Sequence, residues 1–203
     1  MVFAEVILRR CLALSPALLL LLSPCGAANA AEPVSLSVGD PAPRFEVQDD
    51  SGQLWRSADH YGNKIVVVYF YPADMTGGCT AQACAFRDEM GNLVETDVMV
   101  VGVSGDTVES HQLFKRAHGL NFPLLADVEG KVADAFGVPK TVGEKTVKAV
   151  IDGKHYELVR NVTTRRWTFI VDRDGKIAYK DDNVNARQDT ANVVAAIQKM
   201  KQD

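Results

Sequence analysis

Continuous apolar runs mark the centre of the predicted fold. Residues 65–71 (IVVVYFY) and 98–104 (VMVVGVS) are apolar at nearly every position, which is typical of strands buried on both faces of a sheet. Shorter segments at residues 122–126, 166–172 and 176–179 predict three further strands. Asp174-Gly175 separates the last two strands and has the composition of a tight hairpin turn.

Four segments predict helices. They cover residues 80–95, 107–118, 131–136 and 189–201. The first and last carry apolar residues at helical spacing, and the second has an acidic start and a basic end that suit the helix dipole. Strands that alternate with helices, followed by a hairpin and a closing helix, predict an α/β domain of thioredoxin-like fold, with a central mixed sheet flanked by helices.

Turn-forming residues organise the remaining segments. Residues 31–44 contain three prolines and predict an extended lead-in, and residues 49–52 (DDSG) predict a hairpin turn. Residues 138–165 show no clear pattern. Within them, Asp152-Gly153 lies between VKAVI and KHYEL and favours another hairpin.

The first 30 residues have the pattern of a secretory signal peptide. Two arginines precede an apolar run over residues 11–22, and small residues then lead to an Ala-Asn-Ala site at 28–30. A retained membrane anchor is the alternative, but the run is short and contains Pro16. We therefore expect residues 1–30 to be removed on export to the bacterial periplasm, leaving residues 31–203 as the mature domain.

Composition and charge exclude some classes of function. Hydrophobic residues make up 47% and charged residues 24% of the 203 residues, as in ordinary globular proteins. The formal net charge is -4, whereas nucleic-acid binders usually have a basic surface, so we expect no nucleic-acid partner. We also expect no membrane association after signal cleavage. The four histidines lack ligand spacing, so no metal site is predicted.

Cys79 follows the first apolar run at the predicted start of a helix. Unpaired N–H groups and the helix dipole favour an anion there, so the thiolate of Cys79 is favoured and the sulfur becomes nucleophilic. Gly77 and Gly78 allow the backbone to approach whatever the sulfur attacks. Thr76 places a hydroxyl beside that sulfur as donor or acceptor.

Cys84, five residues later, leaves two interpretations open. In an intact helix the two Cα atoms would be roughly 8.5 Å apart, whereas a disulfide needs less than about 7 Å. Either the helix begins after Cys84 and a static disulfide joins the pair, or the segment unwinds when the bond forms. A static disulfide would close a loop too small to stabilise the fold greatly. The second possibility is a redox switch.

The same stretch carries a resemblance to a known family. Residues 72–79 (PADMTGGC) resemble the P-x-x-x-[TS]-x-x-C motif of the peroxiredoxins. Residues 80–88 (TAQACAFRD) are similar to the bacterioferritin comigratory protein/PrxQ subfamily, in which a second cysteine lies five residues after the first. The similarity extends from about residue 38 to the C-terminus and includes GDPAPRF, NFPLLAD and TFIVDRDGKI.

The resemblance implies a role for five residues. Cys79 matches the peroxidatic cysteine, which attacks peroxide and becomes a sulfenic acid, and Cys84 matches the resolving cysteine, which condenses with it to a disulfide. Thr76 matches the hydroxyl that binds the substrate oxygen and the sulfur. Pro72 matches the residue that shields the pocket from water. Arg166 matches the active-site arginine, and a guanidinium near the sulfur favours the thiolate.

Three features qualify these assignments. Arg165 adjoins Arg166, but residues alternate across a strand, so only one of the two should face the site. Gly77 stands where the subfamily commonly has Pro, which predicts a looser loop. The segment over residues 138–166 is longer than in compact members of the family. Arg87 also recurs in the resemblance, and we expect it to form a salt bridge with Asp88 or Glu95.

The resemblance implies a thiol peroxidase that uses no metal or organic cofactor. Its expected partners are hydrogen peroxide, alkyl hydroperoxides and a thioredoxin-like dithiol that re-reduces the disulfide, and the expected state is a monomer. The first alternative is an exported thiol–disulfide oxidoreductase of thioredoxin fold, although that class normally has C-x-x-C at the helix start. The second is a non-enzymatic binding module with an inert disulfide.

Overall fold

Nine strands and four α-helices make up the described part of this computed structural model, residues 34–94 and 97–202. The strands are β1 (Glu46–Gln48), β2 (Leu54–Arg56), β3 (Ile65–Phe70), β4 (Val98–Ser104), β5 (Leu124–Ala126), β6 (Lys140–Ile151), β7 (Lys154–Thr164), β8 (Trp167–Val171) and β9 (Ile177–Asp181). The helices are α1 (Gly77–Val94), α2 (Val108–His118), α3 (Lys131–Ala135) and α4 (Asp189–Met200). The predicted signal peptide lies outside the described residues.

A mixed sheet forms the centre of the structure, with strand order β5-β4-β3-β8-β9. Strands β3, β4 and β5 are parallel, while β8 runs antiparallel to β3 and β9 antiparallel to β8. Every residue of β3 is buried, as expected of a central strand covered on both faces. The predicted mixed α/β sheet is therefore confirmed.

The side chains of β3 alternate between two hydrophobic cores. Val67 and Tyr69 pack in the core that contains α1, α2 and α4, and Val66 and Val68 pack in the core that contains α3 and the β1–β2 hairpin. Gly102 on β4 makes room for the Tyr69 ring, since a Cβ there would lie 2.7 Å from the Tyr69 hydroxyl.

A long hairpin occupies the segment without a clear sequence pattern. Strands β6 and β7 pair antiparallel around Asp152 and Gly153, both at positive φ (52° and 75°), which is the geometry of a tight two-residue hairpin turn. The hairpin joins the body beside β4. A Cβ on Gly105 would collide with the Val162 carbonyl, so only glycine allows this close approach.

The predicted strands and helices are all present, with ends that differ by at most three residues, and the differences at α1 and β8 concern the site. Helix α1 begins at Gly77, three residues before the predicted start, because the carbonyl of Thr76 accepts the N–H of Thr80 at 2.8 Å. Cys79 therefore lies within the first helical turn. Strand β8 begins at Trp167, one residue after the predicted start, so Arg166 immediately precedes the strand.

Candidate active site

Cys79 lies where two structural elements meet, the loop that follows β3 and the first turn of α1. The N–H groups of Gly77, Gly78 and Cys79 precede the first intrahelical bond, which runs from Thr80 to Thr76. Such N–H groups carry the positive end of the helix dipole. The Cys79 side chain is 2% exposed and lies beside the aromatic core of the sheet. The helix thus presents partial positive charge to a sulfur that is shielded from bulk water.

Arg166 contacts the sulfur directly. Its Nη2 donates a hydrogen bond to Cys79 Sγ at 3.2 Å. A guanidinium remains charged at all physiological pH values, so at this distance it can stabilise negative charge that develops on the sulfur during a reaction. The adjacent Arg165 is exposed, and its backbone N–H donates to Pro139 at 2.7 Å. The structure therefore brings Arg166, not Arg165, to the cysteine.

Gln82, one helical turn after Cys79, contacts the same arginine. Arg166 Nη1 donates to Gln82 Oε1 in a short hydrogen bond. Gln82 Nε2 in turn donates to Asp189 Oδ2, which also accepts from the Thr168 hydroxyl at 2.9 Å. Gln82, Asp189 and Thr168 are all fully buried. A continuous chain of hydrogen bonds thus connects the cysteine to α4 and β8.

Cys84 lies in the same uninterrupted helix, two residues after Gln82, and is half-buried. Both cysteines are free thiols. Arg87, one turn further, forms the predicted salt bridge with Asp88 at 2.8 Å. Asp88, and more weakly Cys84, raises the pKa of Arg87. A cationic group therefore lies next to each of the two sulfurs.

Thr76 and Pro72 lie in the loop between β3 and α1. The Thr76 hydroxyl donates to the carbonyl of Ala73 at 3.0 Å, so its hydrogen is engaged within the loop. Pro72 follows directly after Tyr71 and is half-buried. The structure thus places both predicted residues in the segment that leads to the cysteine. The Thr76 hydroxyl would have to rotate to donate to a bound substrate.

A cluster of buried polar side chains contacts the loop between β3 and α1. The Tyr71 hydroxyl donates to Asp74 Oδ1 at 2.7 Å, and His111 Nδ1 lies 2.8 Å from Asp74 Oδ2. Asp106 Oδ2 accepts the backbone N–H of Asp74 at 2.9 Å and the Ser104 hydroxyl at 2.8 Å. These contacts hold Asp74 in place. The next residue, Met75, has a φ of 59°, which is unfavourable for residues other than glycine.

The buried environment raises the pKa values of two groups in this cluster, Asp106 and His111. Burial, and next the nearby Asp74 carboxylate, raises the pKa of Asp106 to about 6. Burial alone would lower the pKa of His111, but the carboxylates of Asp74 and Asp106 outweigh that effect and raise it. The loop that leads to Cys79 therefore rests on Asp106, whose pKa is about 6, and on His111, whose pKa is raised.

Sequence reasoning missed the residues that support the site. Gln82, Asp189 and Thr168 belong to three separate elements, and no periodicity links them. Asp74 and Asp106 did leave a signal, because each lies shortly after the carboxyl end of a strand, β3 and β4, and those strands are parallel neighbours. Polar residues at such ends commonly meet at one edge of a sheet.

The described residues show neither a metal site nor a membrane span. Across residues 34–94 and 97–202, no group of three or more His, Cys, Asp or Glu side chains is placed to hold a metal ion. Among the helices in those ranges, none has the length and hydropathy to cross a bilayer.

Comparison with known sequences identifies relatives over most of the chain. The profile of the AhpC/TSA family matches residues 38–180. Peroxiredoxin Bcp of Bacillus subtilis is 36% identical over 169 residues, which are 83% of this chain and 99% of the relative. Peroxiredoxin Bcp of Escherichia coli K12 is 39% identical over 148 residues, 73% of this chain and 86% of the relative.

Solved structures show the same fold. Peroxidoxin BcpB from Mycobacterium tuberculosis superposes with a TM-score of 0.67 at 30% identity, covering 81% of this chain and 98% of the relative. The bacterioferritin comigratory protein of Xanthomonas campestris, described for its alkyl peroxide reduction activity, has a TM-score of 0.63 at 26% identity, covering 77% and 91%. Both comparisons bear out the fold predicted from the strand and helix pattern.

Proposed function

The chain belongs to the AhpC/TSA family and is a peroxiredoxin, a thiol-dependent peroxidase, and on that premise we propose that Cys79 is the sulfur oxidised by peroxide. One observation carries this assignment: Arg166 Nη2 lies 3.2 Å from the Sγ of Cys79, in the first turn of α1. A guanidinium and a helix N-terminus both stabilise negative charge on that sulfur.

In the first step, the Cys79 thiolate attacks the terminal oxygen of the peroxide. The S–O bond forms as the O–O bond breaks, so the sulfur is oxidised to a sulfenic acid and the peroxide is reduced. The leaving alkoxide, or hydroxide from hydrogen peroxide, takes up a proton and departs as an alcohol or water. Arg166 stabilises the charge at the sulfur, and a rotated Thr76 hydroxyl orients the peroxide, while Pro72 shields the pocket from water.

In the second step, the Cys84 sulfur attacks the sulfenic sulfur of Cys79. The S–S bond forms, the S–O bond breaks, and the oxygen leaves as water. The intact α1 holds the two Cα atoms roughly 8.5 Å apart, beyond the reach of a disulfide. We therefore favour the switch over the static disulfide, and propose that the first turns of α1 unwind for this step. A thioredoxin-type dithiol then reduces the disulfide by exchange and is itself oxidised.

The proposed substrates are hydrogen peroxide and small alkyl hydroperoxides, and the scheme uses no metal or organic cofactor. The alkyl peroxide reduction activity of the Xanthomonas campestris relative supports the second substrate class. We also propose that the protein acts as a monomer, which size-exclusion chromatography coupled to light scattering would test. A dimer mass at micromolar concentration would contradict that proposal.

Export is a separate proposal that rests on the pattern of residues 1–30. We expect the mature protein to begin near residue 31 and to accumulate in the periplasm. N-terminal sequencing of the protein recovered from the periplasmic fraction tests this expectation. Recovery of a chain that keeps Met1 from the cytoplasm alone would refute it.

The two alternatives are not favoured. An exported thiol–disulfide oxidoreductase would need two cysteines that can form a disulfide while the helix is folded. Cys79 and Cys84 lie in one continuous helix, where they are too far apart to do so. The matching relatives are also named peroxiredoxins. An inert binding module would not need an arginine within hydrogen-bond distance of a buried thiol.

Stopped-flow kinetics of the reduced mature chain test the proposed roles. We expect Cys79→Ser to abolish rapid peroxide consumption. Cys84→Ser should keep the first turnover and lose recycling by thioredoxin, because the sulfenic acid then has no resolving partner. If Cys79→Ser protein consumes peroxide as fast as the native chain, the assignment is wrong.

A further inference from the structure

Gln82 occupies a position that disulfide formation must disturb. It lies between the two cysteines in sequence, on the helical segment that the disulfide requires to unwind. Its fully buried side chain accepts from Arg166 and donates to Asp189 Oδ2. Unwinding this turn carries the Gln82 backbone away and breaks both hydrogen bonds.

Asp189 anchors that contact to the rest of the molecule. It lies in the first turn of α4, whose dipole favours a negative charge, and it is fully buried. The Thr168 hydroxyl on β8 donates to the same oxygen at 2.9 Å. A buried carboxylate is costly unless hydrogen bonds compensate for lost water. Its other oxygen, Oδ1, has no hydrogen-bond partner among the described residues. Packing alone would not favour an aspartate here.

We propose that Asp189 is a positioning residue that acts through Gln82, holding Arg166 on the Cys79 sulfur and holding α1 closed. The inference rests on the proposed roles of Cys79 and Cys84. Asp189 then affects the two halves of the cycle in opposite directions. It favours peroxide reduction, which needs Arg166 in place, and it opposes disulfide formation, which needs α1 open.

The balance matters because the sulfenic acid has two fates. Either Cys84 displaces its oxygen as water and forms the disulfide, or a second peroxide adds another oxygen. In the second case an S–O bond forms as the O–O bond of the second peroxide breaks, the rest of that peroxide leaves as an alcohol or water, and Cys79 becomes a sulfinic acid. A tighter contact between Gln82 and Asp189 keeps the sulfenic acid in the closed site for longer, where peroxide can reach it.

Two substitutions separate the hydrogen bond from the charge. Asp189→Ala removes the acceptor of Gln82 Nε2, and Asp189→Asn keeps an acceptor oxygen without the charge. For Asp189→Ala we expect sulfenic acid formation to slow about tenfold and disulfide formation to accelerate about tenfold, as for loss of one buried hydrogen bond. Asp189→Asn should lie within a fewfold of the native chain in both steps. Asp182→Ala, at an exposed aspartate before α4, is the matched control.

Rapid quenching with a thiol-alkylating reagent, followed by mass spectrometry, measures both steps and the yield of sulfinic acid. Rate constants that move in opposite directions in Asp189→Ala, with less sulfinic acid at high peroxide, support the proposal. Rate constants that fall together, stay unchanged, or are lost equally in Asp189→Asn overturn it. If Asp189→Ala does not fold, the same two rate constants are measured in Thr168→Val. Smaller changes in the same two directions support the proposal, and unchanged rate constants refute it. Failure of the peroxidase assignment is separate, since it would appear as peroxide consumption by Cys79→Ser.

Discussion

At the scale of single residues, two adjacent arginines differ in what their side chains contact. Arg166 reaches the Cys79 sulfur and Gln82, whereas Arg165 is exposed. Both carry the same charge a few ångströms apart along the chain. Both arginines should therefore contribute to any long-range electrostatic effect on Cys79. Only Arg166 should contribute through the position of its guanidinium.

Arg166→Lys should slow the reaction of Cys79 with hydrogen peroxide by about ten- to a hundredfold. A lysine keeps the charge but cannot bind the sulfur and Gln82 at once, and a hydrogen bond to a charged group contributes about 1.5–3 kcal/mol. Stopped-flow measurement at low peroxide provides the rate constant. Arg165→Lys is the matched control and should react at the native rate. Native rates in both variants would mean that only the net charge matters, and equal loss in both would contradict a specific role for the Arg166 guanidinium.

Asp106 provides a pH-dependent prediction for stability. Its folded pKa, about 6, exceeds the ordinary value of 3.8, so between these values the folded state binds more protons than the unfolded state. The favourable contribution of the protonated form is present below about pH 4 and is lost as the pH rises toward 6. His111, whose pKa is also raised, loses its contribution as the pH rises further.

Asp106→Asn should therefore flatten the dependence of unfolding free energy on pH between 4 and 6. The native chain should lose about 3 kcal/mol more than the variant across this window, from a shift of about two pKa units. Urea denaturation at several pH values measures the difference. Asp182→Asn, at an exposed position, should keep the native slope. Parallel curves for the native chain and Asp106→Asn would contradict the assigned burial of this carboxyl.

At the scale of elements, α1 must hold Cys79 in place while it is folded, and its first turns must unwind before Cys84 can reach Cys79. Gly77 is its first residue, is exposed, and a Cβ there would have nothing within 4 Å. The looser loop expected from Gly77 in place of proline is therefore a matter of backbone entropy, since a Cβ at this position meets no other atoms. Proline is well suited to the first helical position, where its missing N–H is not needed.

Gly77→Pro should raise the unfolding free energy by about 0.4–1 kcal/mol, because it restricts the unfolded chain at a position whose folded backbone suits proline. Chemical denaturation of the reduced protein measures this change. Gly62→Pro is the contrasting variant and should destabilise the protein, because Gly62 has a φ of 87°. A loss of stability in Gly77→Pro comparable with that in Gly62→Pro would show that α1 begins differently.

Elements were predictable from the sequence where burial leaves a pattern. Strands β3 and β4 are apolar at nearly every position because both faces are covered. Helix α2 is flanked by Thr107 as its N-cap and Gly119 as its C-cap, which are typical capping residues. Strand β6 is exposed at most positions, so only its turn could be predicted. The contact of Gln82 with Asp189 joins residues 107 positions apart, and no local rule anticipates it.

At the scale of the whole molecule, the β6–β7 hairpin is an addition that contacts the body of the fold near its base and near its tip. Ile151 and Leu158 near the tip are buried, and Arg116 of α2 lies 3.4 Å from Asp152 in an ion pair. By contrast, Val150 on the outer face is 60% exposed. The hairpin is therefore attached at both ends, at Gly105 near its base and at α2 near its tip.

Leu158→Ala should lower the unfolding free energy by about 2–5 kcal/mol, since it opens a cavity between the hairpin and the body. Val150→Ala on the outer face should change it by less than about 0.5 kcal/mol. Thermal and urea denaturation measure both values, and peroxide reduction well below the transition should be native in each. Equal, small effects would indicate that the hairpin does not pack on the body.

The most direct test of the account is to identify the atom that peroxide oxidises. Reduced Cys84→Ser protein is mixed with one equivalent of hydrogen peroxide in the presence of dimedone, which traps sulfenic acid, and the peptides are analysed by mass spectrometry. We predict one dimedone adduct on the peptide that contains Cys79, formed faster than in the matching Arg166→Lys variant. An absent adduct, or one formed equally fast without the Arg166 guanidinium, would contradict the account.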